Sequence, residues 1–234
     1  GRFFVDATGS AGAVAAGFSK SSGKATILEP SRAALTCAKE TFRAAEVELS
    51  AGAPWNALNN SADTICLIPA TDRGTARVRA ELLGAFKTLK ESGVAYMVMH
   101  KDQGAKRYEK LGASLFGEVA VLAKQGGWRL AKLVKRASVI PSNLEDALNP
   151  IQFEAAGLKL EAEPGVYAAG KLDPGTGVLL ETFIFESLAG KHMLDMGCGY
   201  GLLALKAALA GAEVTALDDD LTAVRSTYKN AKTY

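Results

Sequence analysis

Residues 194–201 read LDMGCGYG. Asp195 closes an apolar stretch, and Gly197, Gly199 and Gly201 then alternate with Cys198 and Tyr200. Downstream, EVTALD ends on Asp218, 23 residues after Asp195. A strand, a glycine turn and a helix N-terminus together form a ready anion site. An acid at the end of the next strand can accept both hydroxyls of a ribose. The pair therefore suits a nucleotide-like ligand, either a dinucleotide or S-adenosylmethionine. A dinucleotide fingerprint wants G-x-G-x-x-G, yet position 202 is Leu. The pattern here is G-x-G-x-G, with an acid two residues before its first glycine.

Other residues invite chemistry less strongly. Cys198 lies near a helix N-terminus, where a thiol can be acidified, but it also fits as a small turn residue. His100 sits beside Lys101 and Asp102, an acid–base combination that reads equally as an ordinary loop. His192 begins a strand and reads as structural or exposed. Lys101, Lys106, Arg107, Lys110, Arg129, Lys132, Lys135 and Arg136 could form a phosphate-binding face. Interspersed Asp102, Glu109 and Glu118 allow a solvated charged surface instead. Trp55 and Trp128 could stack on bases, with plain packing as the simpler reading. Cys37, Cys66 and Cys198 are far apart and lack zinc spacing, so no metal site is expected and a cytoplasmic setting fits better than a disulfide framework.

Positioning these residues requires alternating strands and helices. Strand patterns cover FFVDA (3–7), ATILE (25–29), DTICLI (63–68, stopped by Pro69) and VAYMVM (94–99). Between them lie helical stretches at 11–19, from a Ser31 cap to about Phe42, and over about 75–90. EVAVLAK (118–124), Gly126–Gly127 and WRLAKLVK (128–135) read as an antiparallel hairpin on a primed turn. Residues 137–156 read as a linker or crossover, and 157–170 as a short hairpin. Asp173 caps a helix that begins at Pro174 and runs to about Leu188. HMLD (192–195), a helix over 202–211, EVTALD (213–218) and a helix over 220–231 complete the pass. This order argues an α/β fold with a mostly parallel sheet. The 234 residues, at 48% hydrophobic and 22% charged, allow one large domain or two small ones. Net charge is only +2, so nucleic-acid binding would need a local basic patch. No apolar run approaches a membrane span, and GRFFVDATG has no signal-peptide architecture.

The two ends of the chain match. Asp6 precedes Glu29 by 23 residues, as Asp195 precedes Asp218. Each pair brackets an acid-ended strand, a glycine-containing turn, a helix and a second acid-ended strand. A shift of 189 also places Gly12 on Gly201, Ala34 on Ala223 and Leu35 on Val224. A tandem α/β duplication follows. The first turn reads D-A-T-G-S-A-G, with Thr8 and Ser10 replacing Gly197 and Gly199. Branched Thr8 suits a close-approach turn poorly, so the first copy is expected to keep the fold and to have lost or weakened the ligand site.

LDMGCGYG followed by VTALDDD resembles the cofactor motifs of the class I S-adenosylmethionine-dependent methyltransferases. GVYAAGKLDPGTGVLLETF (165–183) is similar to the segment that precedes them in small-domain methyltransferases. The tandem layout most resembles the small-subunit ribosomal RNA guanine-N2 methyltransferases, in which a degenerate domain precedes an active one. The resemblance is weak over 1–136 and strong over 165–225. It implies tandem Rossmann-like domains: 1–136 degenerate, 137–163 a linker, and 164–234 the first part of an S-adenosylmethionine-binding domain. It implies Asp195 near the methionine amino group, Gly197 and Gly199 passing close to the cofactor, Asp218 on the ribose and Asp219 near the adenine edge. Thr176, with Asp173, would cover the methionine end. The implied partner is small-subunit ribosomal RNA, and the implied reaction is methyl transfer to a guanine N2 amine. A protein glutamine or small-molecule acceptor, or a non-catalytic RNA-binding or scaffold role, stand as alternatives.

The family's acceptor motif, Asn-Pro-Pro-Phe or Tyr, does not occur. LIPAT (67–71) holds its place in the first copy, with Pro69 but no preceding Asn. The first copy runs 131 residues from Asp6 to Arg136, whereas 40 separate Asp195 from Tyr234 inclusively. The second domain is therefore expected to be incomplete, and no residue is assigned to catalysis.

Overall fold

The computed structural model describes residues 2–9, 12–41, 47–137, 139–182 and 188–234. It divides into two compact units, Gly1–Leu148 and Asn149–Tyr234. No helix among the described residues is long and apolar enough to cross a membrane.

The first unit is a seven-stranded sheet. Its strands are β1 (Arg2–Ala7), β2 (Gly23–Glu29), β3 (Val47–Ala51), β4 (Ala62–Leu67), β5 (Leu89–His100), β6 (Gly117–Gln125) and β7 (Trp128–Lys135). They lie in the order β3-β2-β1-β4-β5-β7-β6. Every pairing from β3 to β5 is parallel, while β5–β7 and β7–β6 are antiparallel. Gly126 and Gly127, both at positive φ, make the tight turn expected between β6 and β7.

Two helices, α1 (Ala13–Ser22) and α2 (Arg32–Thr41), pack on one face of β1–β3, where Phe4, Ala15, Ala25, Ile27 and Ala38 form a small core. The opposite face carries the larger core. Ile65, Leu67, Met97 and Leu133 meet Leu82, Leu83 and Leu115 from α3 (Gly74–Thr88) and α4 (Ala105–Phe116). Two of these elements, β3 and α4, were absent from the strand and helix patterns read above. In α4 the buried Ala105, Tyr108, Gly112, Leu115 and Phe116 keep helical spacing, but charged neighbours break up the pattern. Ser31 caps α2 by accepting the Ala34 N–H at 3.0 Å; the expected last residue of that helix, Phe42, lies outside the described residues.

The second unit opens on a hairpin rather than a linker. Strands β8 (Ile151–Ala155) and β9 (Leu158–Ala162) pair antiparallel around Ala156–Gly157. The hairpin expected over 157–170 is thus shifted toward the N-terminus, and part of 137–156 is strand. Next come α5 (Pro174–Thr182), β10 (His192–Met196), α6 (Leu202–Leu209), β11 (Glu213–Leu217) and α7 (Leu221–Ala231). The far end expected for α5 falls partly on 183–187, outside the described residues, and Leu188 is not helical. β10 and β11 form a parallel two-stranded sheet.

The hairpin belongs to this unit because α7 holds it. Leu158, Leu160, Ala162 and Val166 pack with Tyr200, Leu202, Leu205 and Ala223. Asn230, buried, donates from Nδ2 to the carbonyls of Glu161 and Tyr200, each at 2.8 Å, and accepts the Glu161 N–H at 2.9 Å. Arg225 grips Glu163 with two hydrogen bonds of 2.8 and 2.9 Å. A two-pronged guanidinium–carboxylate pair fixes direction as well as distance.

Candidate cofactor site

The turn after β10 is built from its own backbone. The N–H groups of Gly197 and Cys198 both donate to the Leu217 carbonyl, at 2.8 and 2.9 Å, tying the turn to the end of β11. Gly197 (φ +79°) and Gly199 (φ +57°) take left-handed conformations, and nothing stands within 4 Å of where a Cβ would project. The turn therefore needs glycine for conformation and presents open space above it. From α7, the Thr227 hydroxyl donates to the Gly199 carbonyl at 3.0 Å and to Cys198 Sγ at 3.4 Å. Burial raises the Cys198 thiol above its ordinary pKa, so its helix-end position does not make it a thiolate; it is a packed turn residue.

The two acids of the pair do different work. Asp195 Oδ2 accepts the Ala204 N–H at 3.1 Å, in the first turn of α6. Its other oxygen has no hydrogen-bond partner among the described residues. Burial raises its carboxyl above the ordinary value, the Ala204 N–H opposes this, and the Asp218 charge adds to it. Asp218 accepts the Gly199 N–H at 3.0 Å and the Asp220 N–H at 2.9 Å, one on each oxygen. Each oxygen keeps a second lone pair for an outside donor. Asp219 is exposed, and the buried Asp220 caps α7 by accepting the Thr222 N–H and hydroxyl, both at 2.8 Å.

A cavity of about 370 Å³, its mouth included, lies over this turn. Asp195, Gly197, Gly199 and Thr176 line it, together with Asp173 and Tyr167. Four of the six residues expected to hold a cofactor thus share one space. Asp218 and Asp219 do not line it; Asp218 is joined to the turn through the Gly199 N–H. The roof is the segment before α5. Asp173 Oδ2 accepts the Thr176 N–H at 3.0 Å and its hydroxyl at 3.3 Å, as a helix cap. Tyr200 pins the segment through a 3.1 Å hydrogen bond to the Lys171 carbonyl. Sequence reasoning missed Tyr167, Tyr200, Thr227 and Asn230, because their contacts join residues that no local spacing relates.

The site has a counterpart in the first unit. Asp6 Oδ2 accepts the Ala15 N–H at 2.8 Å, nine residues on, as Asp195 does from Ala204. Glu29 accepts the Ser31 N–H two residues on, as Asp218 does from Asp220. Gly12 and Gly201 both have positive φ. The copies part at Thr8, which holds the place of Gly197. Its hydroxyl donates to Asp6 Oδ1 at 2.7 Å, and its N–H reaches the same oxygen at 3.1 Å. The oxygen left open on Asp195 is thus closed on Asp6 by the chain's own side chain, and Asp6 is buried. Ser10, the other replaced position, lies outside the described residues.

Several other candidates are engaged within the fold. Arg129 is held by Glu109 at 2.6 and 2.7 Å, Arg136 by Glu118 at 3.2 Å, and Lys135 is buried against the Leu89 carbonyl. Arg129 and Lys135 are thus engaged within the fold, while Arg136 keeps an exposed side chain in a surface pair. The His100 ring meets Trp128 edge-on at 5.3 Å, and Trp55 lies under the Arg77 guanidinium. His192, largely exposed at the start of β10, faces Glu213.

The β3-β2-β1-β4-β5-β7-β6 sheet and the acid–glycine turn define an α/β protein of the methyltransferase type. The chain belongs to the methyltransferase small domain family, whose profile matches residues 2–132 and 157–234. It is 49% identical over 78 residues to the ribosomal RNA small subunit methyltransferase C of Chromohalobacter salexigens, a match covering 32% of this chain and 23% of that protein. The protein of the same name from a Marinomonas species is 34% identical over 156 residues, covering 62% of this chain and 43% of the relative. A solved structure of the T. thermophilus 16S rRNA N2 G1207 methyltransferase, in complex with AdoMet and guanosine, superposes with a TM-score of 0.84 at 31% identity. That match covers all of this chain and 62% of the other. The chain thus matches less than half the length of these curated relatives.

Proposed function

We propose that the protein transfers a methyl group from S-adenosylmethionine to the N2 amine of a guanine in small-subunit ribosomal RNA, in the cytoplasm. The observation that carries the cofactor reading is the second-unit cavity, where a carboxylate oxygen of Asp195 stands open beside two uncovered glycines. A cavity with acids at one end suits the ammonium of a methionine group, and Asp218, across the turn, suits a ribose. The activity named for the relatives supports the acceptor.

Asp195 would take the ammonium, Gly197 and Gly199 would pass beside the cofactor, Asp218 would accept the ribose hydroxyls and Asp219 would border the adenine. Thr176, held by Asp173, would cover the methionine end. The cofactor supplies an electrophilic methyl group open to in-line attack. The chain contributes orientation and a dry site, and a paired guanine would have to be extruded to reach it. The first unit, with its site closed at Thr8, supports the second or contributes to RNA binding.

S-adenosylmethionine should raise the melting temperature of the chain, and Asp218→Ala should abolish the rise. No rise in the parent protein would overturn the cofactor reading. For the acceptor, the full-length protein should place label from methyl-labelled cofactor on guanine N2 of 16S rRNA. Label found only on protein would overturn the RNA reading.

A further inference from the structure

Tyr167 has no assigned role, yet its geometry is specific. Its neighbour Val166 is buried in the second-unit core, while the Tyr167 residue itself is 74% exposed. Ala168, next along, has φ +54°, a left-handed conformation that costs a non-glycine residue energy. Packing therefore does not fix the ring. A single bond does, from the Tyr167 hydroxyl to Asp173 Oδ1 at 2.8 Å. The second Asp173 oxygen holds Thr176. Tyr167, Asp173 and Thr176 all line the cavity that Asp195 lines from below.

The segment 167–176 is thus a strap over the cavity with three fastenings. Val166 is anchored in the core, Tyr200 grips the Lys171 carbonyl, and Tyr167 closes onto Asp173. The first two hold the strap at its start and middle; the Asp173 carboxylate is oriented by Thr176 on one oxygen and by Tyr167 on the other. We propose that Tyr167 is a positioning residue: through Asp173 it sets the roof over the end of the cavity that receives the cofactor's amino-acid group. The inference rests on the cofactor reading above. The Asp173 carboxyl is held below the ordinary carboxylate range by the Thr176 N–H, then by the Tyr167 hydroxyl. It therefore stays charged, and Asp173 and Asp195 face one space that the ammonium of an amino-acid group would fill.

Calorimetric binding to the intact chain separates the possibilities. Three probes are used: S-adenosylmethionine, S-adenosylhomocysteine and methylthioadenosine, the last lacking the amino-acid group. Tyr167→Phe should weaken the first two about three- to tenfold and leave the third unchanged. A merely structural role would weaken all three alike, and that result would overturn the proposal, as would an unchanged affinity for all three. Asp173→Asn, which keeps a cap acceptor for Thr176 and loses the charge, should reproduce the same selectivity with a larger loss. Equal losses on all three probes there would also overturn it. If the parent chain binds none of the probes, the cofactor reading falls and takes this inference with it.

Discussion

The same carboxylate has one oxygen engaged in the second unit and both engaged in the first. Asp195 braces α6 with one oxygen and, among the described residues, has no donor on the other; Asp6 braces α1 with one and gives the other to Thr8. This division makes Asp195→Asn informative. Burial raises the Asp195 pKa, so its contribution to stability is full below 3.8 and is lost as pH rises through the raised folded value. At neutral pH the charged form is a cost, so Asp195→Asn should leave the ligand-free protein as stable or more stable. Cofactor affinity has the opposite dependence. The ammonium needs the charged acid, so affinity should fall as pH drops through that raised value, and Asp195→Asn should lower affinity and flatten the profile. Calorimetric titrations from about pH 4, near the ordinary carboxylate value, upward read both. In the first unit, Thr8→Val should cost about 1–2 kcal/mol in urea unfolding, because a buried oxygen of Asp6 loses its shortest donor.

Elements approach one another at glycines, with unequal tolerance. On α3, a Cβ at Gly84 would stand 2.6 Å from the Trp55 nitrogen and 2.9 Å from the Pro54 carbonyl carbon. Backbone cannot yield there, so Gly84→Ala should destabilise the first unit by about 2–3 kcal/mol. At Gly112 on α4 the obstacle is the Cδ2 end of the Leu133 side chain, which can rotate, so Gly112→Ala should cost about 1 kcal/mol. Thermal melts of the two variants should rank in that order. The elements that position the site were legible where apolar residues run unbroken or turn residues punctuate them: β1, β2, β4, β5, the β6–β7 hairpin, β10 and β11. Three were not. Charged Lys106, Arg107, Glu109 and Lys110 obscure α4, β3 is a short edge strand, and β8 reads as linker because Asn149 and Pro150 precede five mixed residues. Within the site, the acids and glycines were legible because the chain itself sets their spacing. Thr227 and Asn230 were not, because they act on the turn from 28 and 30 residues away.

For the molecule as a whole, two units of related geometry share one chain; among the described residues the turn acid is engaged on both oxygens in the first and on one in the second. Hydrogen exchange with and without S-adenosylmethionine should slow in 165–176, 194–204 and 217–222 and remain unchanged in 2–9 and 12–15. Protection in the first unit would mean that Thr8 does not close it.

The acid–helix brace, present in both units, also affects how any mutational survey of this protein is interpreted. Shortening Asp195 to alanine would cut a ligand contact and unmoor α6 in one stroke, so a lost activity would name neither cause. The chain supplies its own calibration. Asp6→Asn alters the corresponding brace where no ligand is expected; made in a Thr8→Val background, which removes the hydroxyl bond particular to Asp6, its stability change set against that of Asp195→Asn separates the share owed to architecture from the share owed to recognition.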